Sequence, residues 1–254
     1  MRALSPLPGQ GIAVVGGCGG IGRAVVEAAM ALGMRCVVLD LPVSIEAAPP
    51  EVPAIPLDVT DPASVAAAMA ELPRHLPALH ALVNLAGYAA AKVPVAEVDP
   101  AVWSAVIDAN LTGAFRVAAA AMPLLRAAAT PEAPSAIVHA ASGLATRLLP
   151  GFGPYGAAKA GLIALTKSLA IENAPLVRAN CVAPGAVRTA FLGGGTGRPH
   201  TPQHLDEAAY NRAIPMGRIA VADDVAGPIL FLCAPASAYI TGQTLWINGG
   251  GLTP

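Results

Sequence analysis

Residues 16–22 read Gly16-Gly17-Cys18-Gly19-Gly20-Ile21-Gly22, and this stretch decides the fold. The apolar run Ile12–Val15 precedes it as a predicted strand, and the alanine-rich run Ile21–Leu32 follows as a predicted helix. Glycines at such a junction permit a tight turn and let a phosphate approach the backbone, while the helix N-terminus supplies unpaired N–H donors. The sequence therefore predicts a pyrophosphate-binding loop. Its glycines fit three different dinucleotide spacings, and similar turns also occur as plain strand-to-helix connections.

The rest of the chain alternates short β-branched runs with longer alanine-rich ones. Predicted strands lie at Ile12–Val15, Cys36–Leu39, Leu79–Leu85, Ala136–His139, Arg178–Val182 and Thr244–Ile247, with a weaker one at Ala54–Leu57. Predicted helices lie at Ile21–Leu32, Pro62–Leu72, Pro100–Ala129, Tyr155–Asn173 and Ala222–Cys233, and the helix after the second strand looks short or absent. This alternation indicates βαβ crossovers. We therefore predict a Rossmann-type α/β fold, a doubly wound parallel sheet of about seven strands with helices on both faces, forming one domain over residues 1–254.

Composition excludes several classes of function. The chain of 254 residues carries 15 basic and 16 acidic residues, which gives no field for binding nucleic acid or an anionic membrane. No uninterrupted apolar stretch reaches the length of about 18 residues that a membrane span needs. The four cysteines stand far apart without a CxxC pair, so we expect no structural metal site. Together with a first decapeptide that lacks an apolar core, this favours a reduced, cytoplasmic location.

Two acidic residues follow predicted strands near the glycine loop. Asp40 ends the second strand, 18 residues beyond Gly22. A carboxylate there accepts hydrogen bonds from both ribose hydroxyls of an adenosine and repels a 2′-phosphate, so it favours NAD over NADP. A solvated loop carboxylate is the alternative. Asp58 follows the third strand, where it would either cap a turn or bond the adenine edge.

Tyr155 and Lys159 lie four residues apart on a predicted helix, so their side chains share one face. Free tyrosine titrates near pH 10, and a nearby ammonium favours the phenolate. We therefore expect Lys159 to lower the pKa of Tyr155 towards neutrality; the alternative is a partly buried tyrosine beside a surface lysine. Ser142 follows the fifth strand, at the sheet edge where ligands bind, and Asn110 lies on the preceding long helix.

These motifs together resemble the compact short-chain dehydrogenase/reductase family over nearly the whole chain. The family loop Thr-Gly-x-x-x-Gly-x-Gly is matched from Val15 to Gly22, with valine replacing the threonine. The family motif Asn-Asn-Ala-Gly appears as Asn84-Leu85-Ala86-Gly87, with the second asparagine lost. Pro184-Gly185-Ala186-Val187-Arg188-Thr189 matches the element Pro-Gly-x-x-x-Thr, and Ile240-Thr241-Gly242-Gln243 resembles the family's C-terminal strand region.

The resemblance implies a catalytic set of Asn110, Ser142, Tyr155 and Lys159. Tyr155 would be the general acid and base, Lys159 would lower its pKa and bond the nicotinamide ribose, Ser142 would bond the reacting oxygen, and Asn110 would hold a relay water. The implied cofactor is NAD, bound by Gly16, Gly20, Ile21, Gly22, Asp40, Asp58, Val59, Asn84, Ala86, Gly87, Tyr155, Lys159, Pro184, Gly185, Val187 and Thr189. The resemblance also implies a homotetramer.

The predicted substrate pocket is mostly apolar. It is formed by Ser142, Leu144, Leu149, Tyr155 and Phe191, with a substrate loop around residues 189–216. The stretch from Gly193 to Gln203 lacks periodicity and is predicted to be a mobile loop. Such a pocket suits a small-molecule secondary alcohol or ketone of moderate hydrophobicity.

Two alternative functions remain open at this point. One is an NADPH-dependent 3-oxoacyl-thioester reductase of the same superfamily, and the other is a dinucleotide-binding sensor without turnover. An extended-type sugar epimerase fits the third glycine spacing, but too few residues remain for its substrate domain. Among the histidines, His139 is predicted to be packed inside a strand, and His200 and His204 to be solvated.

Overall fold

A seven-stranded parallel sheet organises the computed structural model, which describes residues 2–197, 199 and 205–252. Its strands are β1 Gly11–Val15, β2 Arg35–Asp40, β3 Ala54–Pro56, β4 Ala81–Asn84, β5 Ser135–Ala140, β6 Val177–Pro184 and β7 Thr244–Ile247. They are ordered β3-β2-β1-β4-β5-β6-β7, and all neighbours are parallel. The order reverses between β1 and β4, which opens a ligand crevice at the carboxyl ends of these strands. The predicted doubly wound fold is confirmed.

Helices cover both faces of the sheet. They are α1 Gly20–Ala31, α2 Pro42–Ala47, α3 Pro62–Glu71, α4 Pro100–Ile107, α5 Gly113–Ala127, α6 Gly153–Asn173, α7 Glu207–Ala213 and α8 Ala222–Cys233. Successive residues of β1 point to opposite faces. Ile12 and Val14 pack in the core with α1 and α8, whereas Ala13 and Val15 pack in the core with α3 and α5. Burial on both faces explains why the strands are apolar throughout rather than alternating.

The helix predicted over Pro100–Ala129 is not regular. α4 and α5 are separated by a π-helical turn at Asp108–Thr112. The period of apolar residues continues through this turn, so the sequence gives no sign of it. The turn lies at the site described below, where such bulges are frequent.

Other boundaries differ by a few residues. The fourth strand covers Ala81–Asn84 rather than Leu79–Leu85, and the long sixth helix begins at Gly153. α2 is six residues long, in line with the short helix expected after β2; two prolines follow it and would interrupt a longer helix. The predicted substrate loop contains a 3₁₀ turn at Ala190–Gly193 and α7. Residues 198 and 200–203 of the predicted mobile loop, His200 among them, lie outside the described residues, and so does His204.

Within the described residues, no helix is long and apolar enough to cross a bilayer. The four cysteines are free thiols, and three of them are buried. Burial raises the pKa of Cys36 and Cys181 to about 11, so both thiols are neutral at pH 7. No cluster of three or more metal-ligating side chains occurs in the described part of the chain.

Candidate active site

The glycine loop connects β1 to α1 with almost no room for side chains. Gly16 has a φ of +77° and donates its N–H to the Leu39 carbonyl at 2.8 Å. A Cβ on Gly22 would lie 2.3 Å from the Gly16 oxygen, and a Cβ on Gly20 would lie 2.5 Å from Cγ2 of Thr189. A Cβ on Gly19 meets nothing closer than 3.3 Å. Of the three possible spacings, the geometry therefore favours the one that uses Gly16, Gly20 and Gly22.

A cleft of about 440 Å³ opens beside this loop at the carboxyl edge of the sheet. It is lined by predicted cofactor residues from four connections, namely Gly16, Gly20, Asp40, Asp58, Val59, Ala86 and Gly87. These residues lie up to 71 positions apart in sequence, and the sheet brings them together. Asp40, Tyr88 and Phe191 also line the cleft.

Asp40 lines the cleft, and its carboxylate accepts hydrogen bonds from two backbone N–H groups. One oxygen accepts from the Cys18 N–H at 2.9 Å and the other from the Leu41 N–H at 2.8 Å. Each oxygen can accept a further hydrogen bond. Burial, followed by the Asp40 charge and a hydrogen bond to Asp40, raises the pKa of the Cys18 thiol to about 11. The loop and the carboxylate thus form one preorganised unit.

Asp58 caps its own turn. Its Oδ1 accepts from the Thr60 N–H at 2.9 Å and from the Thr60 hydroxyl at 2.7 Å. Asp58 nevertheless lines the cleft. The turn-cap interpretation is therefore what the contacts show, and a bond to adenine stays a prediction.

Asn84 and Asn110 have buried side-chain amides and lie close to Gly87, which lines the cleft. Asn84 Oδ1 accepts from the Ala86 N–H at 3.1 Å and so shapes the turn after β4. Asn110 lies in the π-helical turn and donates through Nδ2 to the carbonyls of Tyr88 and Val106, both at 2.9 Å. Its Oδ1 is buried without a partner among the described residues.

Gly87 explains how Asn110 comes so close to the cleft. Its φ is +146°, and a Cβ there would lie 2.2 Å from Asn110 Oδ1 and 3.4 Å from Lys159 Nζ. Only a glycine leaves the unpaired oxygen and the ammonium facing the same space. An unpaired buried acceptor beside a lysine is suited to hold a proton-carrying partner such as water.

Ser142, Tyr155 and Lys159 converge at the carboxyl end of β5. Lys159 is buried and donates through Nζ to the Ala140 carbonyl at 2.8 Å, and Nζ lies 5.5 Å from the centroid of the Tyr155 ring. Ser142 lies near enough to Tyr155 to lower the pKa of its phenol, and Ser142 Oγ accepts from the Leu144 N–H at 3.1 Å. The tyrosine and lysine share the inner face of α6, where the four-residue spacing places them.

The pKa of Tyr155 differs from the sequence prediction. Burial raises it to about 12, and the hydrogen bond from Ser142 opposes this only in part. Burial also lowers the pKa of Lys159 to about 8. Lys159 points to a backbone carbonyl and lies over the ring, so its charge does not offset the loss of phenolate hydration. At neutral pH, Tyr155 is therefore a neutral hydrogen-bond donor.

The segment after β6 borders the glycine loop. Thr189 touches Gly20, and Pro184 is buried at the end of the strand. Gly185 donates its N–H to the Ile247 carbonyl at 2.9 Å, and Arg188 donates its N–H to the Ala220 carbonyl at 2.9 Å. The Val187 N–H between them has no acceptor among the described residues. Ile21 is half-buried against the core below the loop.

Two of the predicted substrate residues pack around Tyr155. Phe191 and Leu144 contact the cluster that contains Tyr155, and the rings of Tyr155 and Phe191 are 6.1 Å apart. Leu149 is half-exposed and does not belong to this cluster, so its role stays a prediction. Arg147, which lies between Leu144 and Leu149 in the sequence, donates to the Gly251 carbonyl at 2.7 Å.

Other residues near the site were not anticipated. Ser44 and Thr196 line the cleft, and the Ser44 hydroxyl donates to the Thr196 carbonyl at 2.9 Å. The two residues are 152 positions apart, so no local signal could have paired them. His139 is fully buried, as expected of a packed residue, with Nδ1 at 2.9 Å from the Thr166 hydroxyl.

Similarity to known proteins decides the family. A model of a family described as enoyl-(acyl carrier protein) reductase matches residues 16–251. A Sinorhizobium fredii protein described as an uncharacterized short-chain type dehydrogenase/reductase is 36% identical over an alignment of 253 residues. The alignment covers 97% of this chain. The chain belongs to the short-chain dehydrogenase/reductase family. It spans 44% of the length of the S. fredii relative.

Two further proteins are similar to this chain over most of their length. The cis-4-hydroxycyclohexanecarboxylate dehydrogenase of Sinomonas cyclohexanicum is 36% identical over 194 residues, covering 76% of this chain and 74% of that enzyme. The crystal structure of a 3-ketoacyl-(acyl-carrier-protein) reductase from Brucella melitensis, complexed with NADH, matches with a TM-score of 0.86 and 25% identity, covering 98% and 99% of the two chains. The resemblance seen in the sequence is confirmed.

Proposed function

We propose that this protein is an NAD(H)-dependent oxidoreductase that interconverts a moderately hydrophobic ketone and the corresponding secondary alcohol. The convergence of Ser142, Tyr155 and Lys159 at the carboxyl end of β5, with a cleft lined by the glycine loop and Asp40 at the same edge of the sheet, carries the proposal. Family membership implies a nicotinamide dinucleotide, which supplies or accepts a hydride when bound.

The residues of this chain fit such a cofactor. The glycine loop and the start of α1 would hold the pyrophosphate, and Asp40 the adenosine ribose. Lys159 would bond the nicotinamide ribose, and the unpaired Val187 N–H with Thr189 would hold the nicotinamide side. A bound ligand that contacts the protein backbone would explain both the unpaired Val187 N–H and a loop in which Cβ atoms do not fit.

Catalysis follows from the protonation states of three side chains. In the reductive direction, Ser142 donates a hydrogen bond to the carbonyl oxygen, where negative charge develops. Tyr155, neutral at pH 7 because burial raises its pKa, donates its proton to that oxygen as general acid. The Lys159 ammonium stabilises the resulting phenolate. Asn110 Oδ1, beside Lys159, holds the water through which the proton is replaced.

NAD(H) rather than NADP(H) is supported by the charges of the cleft. Asp40 would repel a 2′-phosphate, and no arginine or lysine is found among the described residues that line the cleft. Arg23 lies near enough to Cys18 to lower the pKa of its thiol. If the protein were instead an NADPH-dependent 3-oxoacyl-thioester reductase, Arg23 would be the residue to bind the 2′-phosphate. Likeness to a 3-ketoacyl reductase supports that second candidate for the substrate.

A cytoplasmic homotetramer remains part of the proposal. Large apolar side chains are exposed on α4 and α5, including Val102 at 42%, Trp103 at 38% and Phe115 at 54%. Contiguous apolar surface on paired helices is typical of subunit interfaces. Sedimentation of the purified protein gives the oligomeric state directly.

A panel of secondary alcohols and ketones, followed by NADH absorbance, tests the proposed activity. Tyr155→Phe removes the proton donor and should lower kcat by at least about 100-fold, while NADH binding changes little. Tyr239→Phe is the matched control, because Tyr239 is fully exposed. A non-catalytic sensor would bind NADH but turn over no member of the panel, and equal rates in Tyr155→Phe and wild type would refute the catalytic assignment.

A further inference from the structure

The hydroxyl of Tyr210, on α7, lies against the segment that follows β6. Its Oη accepts a hydrogen bond from the Ala186 N–H at 2.9 Å. A Cβ on Gly185 would lie 2.7 Å from the same oxygen, so the glycine is needed for this close approach. The tyrosine is half-buried, and so is the hydrogen bond that its hydroxyl accepts.

Tyr210 completes the hydrogen bonding of this segment. The N–H groups of Gly185 and Arg188 are bound by backbone carbonyls, and the N–H of Ala186 is bound by the tyrosine hydroxyl. The next N–H along the chain, that of Val187, is the one without an acceptor among the described residues. The Ala186 carbonyl belongs to the same peptide unit as the Val187 N–H and accepts from the Ala220 N–H at 3.3 Å. The direction of the Val187 N–H therefore depends on this bond and on how firmly the Ala186 amide before it is held.

A second contact joins α7 to the same segment. Arg188 forms an ion pair with Glu207 in the first turn of α7. Asp206 caps the helix by accepting from the Ala209 N–H at 2.9 Å. Both partners of the ion pair are largely exposed, so it contributes little by itself, and the inward Tyr210 hydroxyl is the principal link.

We propose that Tyr210 is a positioning residue for the nicotinamide end of the bound cofactor. Its hydroxyl fixes the Ala186 amide and thereby aims the Val187 N–H at the nicotinamide carboxamide. This inference rests on the proposed function, since it assumes that a nicotinamide dinucleotide lies in the cleft. Because α7 belongs to the predicted substrate loop, the contact also joins the substrate side of the site to the cofactor side.

The test compares two ligands in two matched variants. Tyr210→Phe removes only the hydroxyl, and Tyr239→Phe removes a hydroxyl that is fully exposed. Dissociation constants for NADH and for ADP-ribose, which lacks nicotinamide, are measured by calorimetry, with kcat and KM for the best substrate alongside. Loss of one buried hydrogen bond predicts a dissociation constant for NADH about fivefold higher in Tyr210→Phe. The constant for ADP-ribose should stay unchanged, and Tyr239→Phe should match the wild type for both ligands.

The outcomes separate this inference from the proposed function. If the wild type binds neither ligand, the dinucleotide assignment itself fails. If the wild type binds both and Tyr210→Phe weakens both equally, the hydroxyl supports the fold in general and the positioning role is overturned. Unchanged NADH binding and unchanged kcat in Tyr210→Phe overturn it as well.

Discussion

Replacing Asp40 by asparagine should remove most of the preference for NADH over NADPH. The Asp40 carboxylate is held by the Cys18 and Leu41 amides, and each oxygen can accept one more bond from the ribose diol. A hydrogen bond to a charged acceptor contributes about 2 kcal/mol, or about 30-fold in affinity. The charge also acts against NADPH. Two like charges about 4 Å apart at an effective dielectric of 20 repel by about 4 kcal/mol, and partial exposure of Asp40 reduces this to about 2 kcal/mol.

These two contributions predict a wild-type preference for NADH of about 1,000-fold in kcat/KM. In Asp40→Asn the preference should fall below about 10-fold, because NADH loses a charged acceptor and NADPH loses a repulsive charge. Asp61→Asn is the matched control. Asp61 caps α3 by accepting from the Ala63 N–H at 2.9 Å and lies on the exposed surface, and asparagine is an equally good cap. Initial rates with both cofactors decide the matter. A wild type that prefers NADPH, or an unchanged ratio in Asp40→Asn, would refute the reasoning.

Two further predictions concern stability. Burial lowers the pKa of Lys159 from 10.5 to about 8, so the unfolded chain binds this proton more tightly than the folded protein. Relative to Lys159→Met, the wild type should gain about 2 kcal/mol in free energy of unfolding between about pH 7 and pH 10. Urea titrations at several pH values measure this gain, and a difference between the two proteins that stays constant with pH would contradict it. A separate prediction concerns the glycine loop: Gly22→Ala places a Cβ 2.3 Å from a backbone oxygen and should abolish NADH binding. Gly227→Ala places a Cβ in open space within α8 and should raise the free energy of unfolding by about 0.5–1 kcal/mol. Calorimetry measures NADH binding by Gly22→Ala, and thermal denaturation measures the stability of Gly227→Ala. If Gly22→Ala kept the NADH affinity of the wild type, the loop would have room for a side chain and this reasoning would be wrong.

The elements that the sequence predicted well are those whose signal is local. Continuous apolar runs gave the central strands because both faces of the sheet are covered, and the four-residue spacing of Tyr155 and Lys159 was enough to place them on one face of α6. The glycine loop was predictable for the same reason, although its register needed coordinates to show which glycines are crowded.

Properties that depend on distant packing were not predictable in the same way. The expected lowering of the Tyr155 pKa was wrong because neighbours such as Val106 and Phe191, from other elements, exclude water from the phenol. The contact between Ser44 and Thr196 joins segments 152 residues apart. The hydroxyl of Tyr210 meets Ala186 across 24 residues, with no motif at either end.

The π-helical turn between α4 and α5 has a consequence for how this chain tolerates changes in length. Such a turn amounts to one surplus residue in an otherwise regular helix, and each α-helical residue rotates the chain by about 100°. Deletion of one residue from Asp108–Thr112 would let the two helices join into one continuous and regular α-helix. That repair would carry the amide of Asn110 around the axis and away from Lys159. An irregularity in winding, costly to the helix itself, is thus what keeps Asn110 Oδ1 near Lys159, where the proposed relay water would bind.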